Sequence, residues 1–172
     1  YVATAIVLDK NYSVTTSSKV ICVPRKATVK AEDITVEYGY DKPDLTYAKL
    51  GLYGSDSVEV TLATDYAAGM AAGTSRVITV SVADNGNYDF TVQNGTLTVE
   101  KRKVTVTVHS QTVVYGDDFD TSVCDFENTP LYGDDKVSVT SYSTTYNVGA
   151  DAGETFEIGA ETKEEGNYEF TV

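Results

Sequence analysis

Landmarks in this 172-residue chain recur about every 77 residues, so whatever fold it adopts is built more than once. Asn11-Tyr12-Ser13-Val14 aligns with Gly86-Asn87-Tyr88-Asp89-Phe90-Thr91-Val92 and with Gly166-Asn167-Tyr168-Glu169-Phe170-Thr171-Val172. Thr35-Val36-Glu37-Tyr38-Gly39 recurs as Thr112-Val113-Val114-Tyr115-Gly116, and Leu52-Tyr53-Gly54-Ser55-Asp56 as Leu131-Tyr132-Gly133-Asp134-Asp135. Tyr66, Gly69 and Gly73 match Tyr146, Gly149 and Gly153. The phase gives three pieces: 1–25 is the closing part of a preceding repeat, 26–101 a complete unit, and 102–172 a second unit. That second unit stops before a counterpart of Gly95-Thr96-Leu97-Thr98-Val99, so the chain is expected to be a segment of a longer array.

Inside each unit the apolar period is two. Val104, Val106 and Val108 alternate with Thr105, Thr107 and His109; Val58, Val60 and Leu62 alternate with Glu59 and Thr61. Twenty-four valines and 24 threonines suit a pleated, half-exposed surface, and no stretch of ten residues carries a helical apolar stripe. Asn94-Gly95 reads as a hairpin turn between two short strands. The expected class is all-β, as tandem antiparallel β-sandwiches with Ig-like proportions. A β-grasp-like unit, with Ala67–Ala72 as its helical turn, is the alternative.

Twenty-six acidic against 13 basic side chains leave a net charge of −13, which excludes the clustered cations that nucleic acid or an anionic membrane surface requires. The charge is graded along the chain: +2 over 1–25, −5 over 26–101 and −10 over 102–172. No apolar run is long enough to span a bilayer as a helix. Cys22 and Cys124 are too few for a disulfide scaffold and lack metal-type spacing. They read either as a bridge or as two separate thiols.

The ordered landmarks resemble the MBG or YDG-type repeats of bacterial surface proteins. The opening is Thr112-Val113-Val114-Tyr115-Gly116-Asp117, and the closure runs from Asn87-Tyr88 to Gly95-Thr96-Leu97-Thr98-Val99. Two departures stand out: Tyr40 replaces the acid after Tyr38-Gly39, and Val77 or Phe156 stands where the family has a tyrosine. The resemblance implies a secreted or cell-wall-anchored extracellular protein whose units extend or present other modules as a semi-rigid stalk or adhesin segment. It carries no catalytic residues.

The residues themselves offer few chemical sites. His109 is the only histidine, and neither Ser110 nor Ser143 sits in a nucleophile-elbow spacing, so no enzyme activity is expected. Asp117, Asp118 and Asp120, with Asp134 and Asp135, form acidic turns that either serve backbone geometry or hold a weak Ca2+; no other cofactor is indicated. Tyrosines that recur in phase are expected to pack. Tyr40, Tyr47 and Tyr142 have no counterpart in the other unit, and are the ones expected to contact a host glycan or matrix protein if the chain is a dedicated binding module. Lys103 and Asn167 read either as an isopeptide pair or as a surface lysine and a turn asparagine. Besides neighbouring repeats of the same chain, the expected partner is a second chain, pairing head to tail: its basic N-terminal strands meet the open sheet edge of the acidic trailing unit.

Overall fold

The computed structural model describes Asn11 and residues 19–163 and 165–172. The strand expected over Tyr1–Leu8 and the landmark Tyr12-Ser13-Val14 lie outside these residues. The described part is all-β, with twelve strands and one 3-10 turn at Thr121–Val123. The leading repeat supplies β1 (Arg25–Ala31), β2 (Ile34–Glu37), β3 (Tyr47–Leu50), β4 (Val60–Ala63), β5 (Ser75–Val82), β6 (Tyr88–Gln93) and β7 (Gly95–Glu100). The trailing repeat supplies β8 (Arg102–Val108), β9 (Phe126–Asn128), β10 (Val139–Thr144), β11 (Ile158–Thr162) and β12 (Tyr168–Thr171).

In the leading repeat one sheet has the order β3-β1-β6 and the other β2-β7-β5-β4. β5 packs across onto β1 and β6, which makes two facing layers. The sheets are mixed, not purely antiparallel as expected. β1 runs parallel to β6, β2 parallel to β7, and in the trailing repeat β8 parallel to β12. The reason lies at a shared corner. β1 leads into β2 across Glu32-Asp33, β6 leads into β7 across Asn94, and both paths change sheet there.

Asn94-Gly95 is therefore a crossing between sheets and not the expected hairpin. A type I′ turn needs positive φ at both central residues, and neither residue has it. Asn94 Oδ1 instead accepts from the Val80 amide at 3.1 Å, and Asp33 Oδ1 accepts from the Thr96 amide at 2.8 Å. Gly95 is needed for close approach: a Cβ there would lie 2.6 Å from the Glu32 carbonyl oxygen. The Ala67–Ala72 stretch makes tight turns, with Met70 N donating to Ala67 O at 3.3 Å, so the β-grasp alternative has no helix to rest on.

Alternation places Val29, Ala31, Ile78, Val80, Leu97 and Val99 between the layers of the leading repeat, and Val104 and Val106 in the trailing one. Each valine, leucine or isoleucine among them contributes about 1.5–3 kcal/mol when fully buried. Tyr38, Tyr66 and Tyr168 join these residues in a single cluster that runs through both repeats.

Candidate interaction surface at the repeat junction

The two repeats meet through side chains drawn from three of the recurring landmarks. Tyr38, from the Tyr-Gly opening of the leading repeat, is only 8% exposed. Its ring stands edge-on to Tyr132 and to Tyr168, with centroids 5.4 Å away in both cases. Edge-to-face packing sets the positive rim of one ring against the negative face of the next. Gly39 explains why glycine follows the tyrosine: its φ is +82°, and a Cβ would meet Tyr132 Cβ at 2.5 Å. A Cβ at Gly69 would lie 3.0 Å from the same ring, so Tyr132 lies against two bare backbones.

Asp135 ties the phenols together. Tyr168 Oη donates to its Oδ2 at 2.6 Å, and Tyr38 Oη donates to the same oxygen at 3.3 Å. Tyr168 Oη also accepts from the Tyr132 amide at 3.0 Å, so the hydroxyl is satisfied as donor and acceptor. Burial, reinforced by the Asp135 carboxylate, pushes the Tyr168 phenol up to about 12 and raises that of Tyr38. At the rim, Ala72 N donates to Asn167 Oδ1 at 2.9 Å, and the Arg102 guanidinium lies 4.9 Å above the Tyr40 ring.

The leading repeat carries the same motif within itself. Tyr88 Oη donates to Asp56 and accepts from the Tyr53 amide at 3.0 Å. Tyr66 Oη donates to the Tyr40 carbonyl at 2.6 Å, as Tyr146 Oη does to the Asp117 carbonyl at 2.8 Å. The matching tyrosines therefore divide. Tyr38, Tyr66, Tyr88 and Tyr168 are buried, Tyr132 and Tyr146 are half-buried, and Tyr53 and Tyr115 are exposed.

Other candidate residues are dispersed. Asp120 caps the 3-10 turn by accepting from the Ser122 amide at 2.9 Å, and the Ser122 hydroxyl, aided by that amide, lowers its pKa. Asp135 is engaged by the two phenols, while Asp117, Asp118 and Asp134 are exposed turn residues. Among the described residues no three His, Cys, Asp or Glu side chains converge to hold a metal ion. Tyr40 and Tyr47 are exposed, whereas Tyr142 is half-buried, with its phenol raised mainly by burial. His109 Nδ1 lies 2.9 Å from Asp125 Oδ1, with Glu127 on its other side at 4.0 Å, and no serine is among these partners. Cys22 and Cys124 are both free thiols. Lys103 is exposed while Asn167 turns into the junction, so the two do not share an apolar core. Among the described residues no helix is long and apolar enough to cross a membrane.

Sequence reasoning picked out every landmark in the junction but did not join Tyr38 to Asp135, which lies 97 positions away. The available signal was that Tyr38, Tyr132 and Tyr168 all sit in recurring motifs. No curated protein and no solved structure matches the chain. Residues 27–98 and 104–172 each match the family model for the MBG domain of the YGX type, a non-enzymatic repeat module of surface proteins. The Tyr38-Gly39 turn that seats on Tyr132 fits that type, and the chain belongs to the MBG domain family as two tandem copies.

Proposed function

We propose that this chain is a non-catalytic structural segment of an extracellular bacterial surface protein, a semi-rigid stalk that holds other modules away from the cell. The observation that carries this reading is the junction. A hinge would leave Tyr38 wet, but its ring is packed between two tyrosines of the next repeat and its hydroxyl reaches Asp135. Only Lys101 separates β7 from β8, which leaves no length for a flexible linker. Repeats coupled in this way add stability through their interfaces and transmit direction along the array. Small-angle scattering in dilute solution tests the reading. An extended particle with one fixed maximum dimension is expected, and a broad distribution of dimensions would refute it.

A second reading, a binding module for a host glycan or protein, draws on Tyr40 and Tyr47, which are exposed and lie on the leading repeat. Affinity for a glycan or matrix protein that falls on Tyr47→Ala would support it. Absence of binding across a broad array of such ligands would refute it.

A further inference from the structure

The sequence holds two Asn-Gly pairs, Asn85-Gly86 and Asn94-Gly95, and the fold treats them in opposite ways. Asparagine before glycine is open to ring closure on its own main chain, because no side chain shields the amide nitrogen that follows it. Asn94 is held: its Oδ1 accepts from the Val80 amide at 3.1 Å, and Gly95 is buried against the Glu32 carbonyl. Residues 83–87, by contrast, are all exposed in the loop that joins β5 to β6. Gly86 has a φ of +72°, and nothing lies within 4 Å of the place a Cβ would take.

The groups around Asn85 are also arranged for attack on its side chain. The Gly86 amide donates to Asp84 Oδ1 at 2.8 Å, so a carboxylate touches the proton that the nitrogen must lose. The Asn87 amide donates to Asn85 Oδ1 at 3.1 Å. That bond folds the side chain forward over the Gly86 peptide, as in an Asx turn. It also places a donor on the oxygen where negative charge develops when Cγ is attacked. Base, electrophile, nucleophile and oxyanion donor come in order from Asp84, Asn85, Gly86 and Asn87.

We propose that Asn85 is a self-modification site, at which this loop converts the asparagine into an acid without an enzyme. The Gly86 nitrogen bonds to Asn85 Cγ as its proton passes to Asp84. The bond from Cγ to Nδ2 then breaks, and the leaving amine takes that proton and departs as ammonia. One water opens the resulting succinimide at either carbonyl, giving aspartate or isoaspartate at position 85. The aspartyl product suits the fold, since Glu165 holds the matching position of the trailing repeat. The isoaspartyl product adds a carbon to the main chain just ahead of Asn87, whose carbonyl accepts from the Arg25 amide at 2.9 Å where β1 meets β6. Either product adds a negative charge to the leading repeat, and neither regains the amide, so the loop records the age of the molecule. The inference goes beyond the stalk reading and does not depend on it.

Incubation of the folded chain at neutral pH, followed by peptide mass mapping, tests the proposal. Electron-transfer fragmentation separates aspartate from isoaspartate. Both are expected at position 85, each carrying a solvent oxygen when the incubation is run in heavy-oxygen water. They accumulate at least about tenfold faster than at Asn94, which must wait for the sheets to open. Unfolding in urea brings the two sites to similar rates. Asp84→Ser keeps a short polar side chain that closes the same turn, so the melting curve is unchanged. Loss of the carboxylate nevertheless slows conversion by at least about tenfold. Equal conversion at the two asparagines of the folded chain, a difference that persists in urea, aspartate without isoaspartate, or an unchanged rate in Asp84→Ser would each overturn the proposal.

Discussion

Tyr38 and Tyr115 occupy the same landmark in the two repeats, and the structure gives them different environments. Tyr38 is 8% exposed between Tyr132 and Tyr168, whereas Tyr115 is 67% exposed. Tyr38→Ala removes a buried ring, two edge-to-face contacts and the hydrogen bond to Asp135, which costs about 3–5 kcal/mol. Domains of this size are stable by only about 5–15 kcal/mol, so the loss is large. Tyr115→Ala removes a solvated side chain and costs no more than about 0.5 kcal/mol. Tyr38→Phe retains both ring contacts and loses a hydrogen bond of 3.3 Å, costing roughly 1 kcal/mol. Equilibrium urea unfolding of the isolated chain reads all three, with tyrosine fluorescence as the probe since the chain has no tryptophan. The Ala variant at Tyr38 is also expected to split one cooperative transition into two, because the repeats then unfold separately. Equal losses for Tyr38→Ala and Tyr115→Ala would refute the assignment of the junction.

Alkaline pH weakens the same cluster. The folded Tyr168 phenol holds its proton to about 12 against the ordinary 10, so its contribution is complete below pH 10 and is lost as pH climbs through about 12. The loss amounts to roughly 2 kcal/mol and is absent in Tyr168→Phe, as urea unfolding at several pH values would show. Gly95→Ala forces a methyl against the Glu32 carbonyl at 2.6 Å and is expected to cost about 1–3 kcal/mol in the same assay. A neutral result there would mean that the corner between sheets is looser than described. Millimolar calcium is expected to leave the melting temperature unchanged, because Asp120 caps a turn and Asp135 serves two phenols. A rise with calcium would show that the acidic turns gather around the ion.

Strand content was legible because the alternation at Val104, Val106 and Val108 states both the period and the buried face. The repeat was legible because glycines and tyrosines recur in order. Sheet pairing was not legible, and Asn94-Gly95 shows why. The dipeptide is compatible with a hairpin, but its amide side chain and its bare Cα are used for a hydrogen bond and a backbone contact that only the folded layers supply. The junction failed to announce itself for a related reason. Tyr38 and Tyr115 are the same residue in the same motif, and which of them packs depends on the neighbour that follows. Conversely, the aspartates suggested a metal site by composition alone, while Asp135 finds its partners in the hydroxyls of Tyr38 and Tyr168. A carboxylate among phenols looks in sequence like any acidic turn.

The proposed stalk requires that the two repeats move as one body, held by Tyr38, Tyr132, Tyr168 and Asp135. Residual dipolar couplings measured on the backbone amides of both repeats in one weakly aligned sample test this directly. A single alignment tensor is expected to fit residues 27–98 and 104–172 together, and Tyr38→Ala is expected to split it into two. Two tensors of different magnitude in the unmodified chain would contradict it.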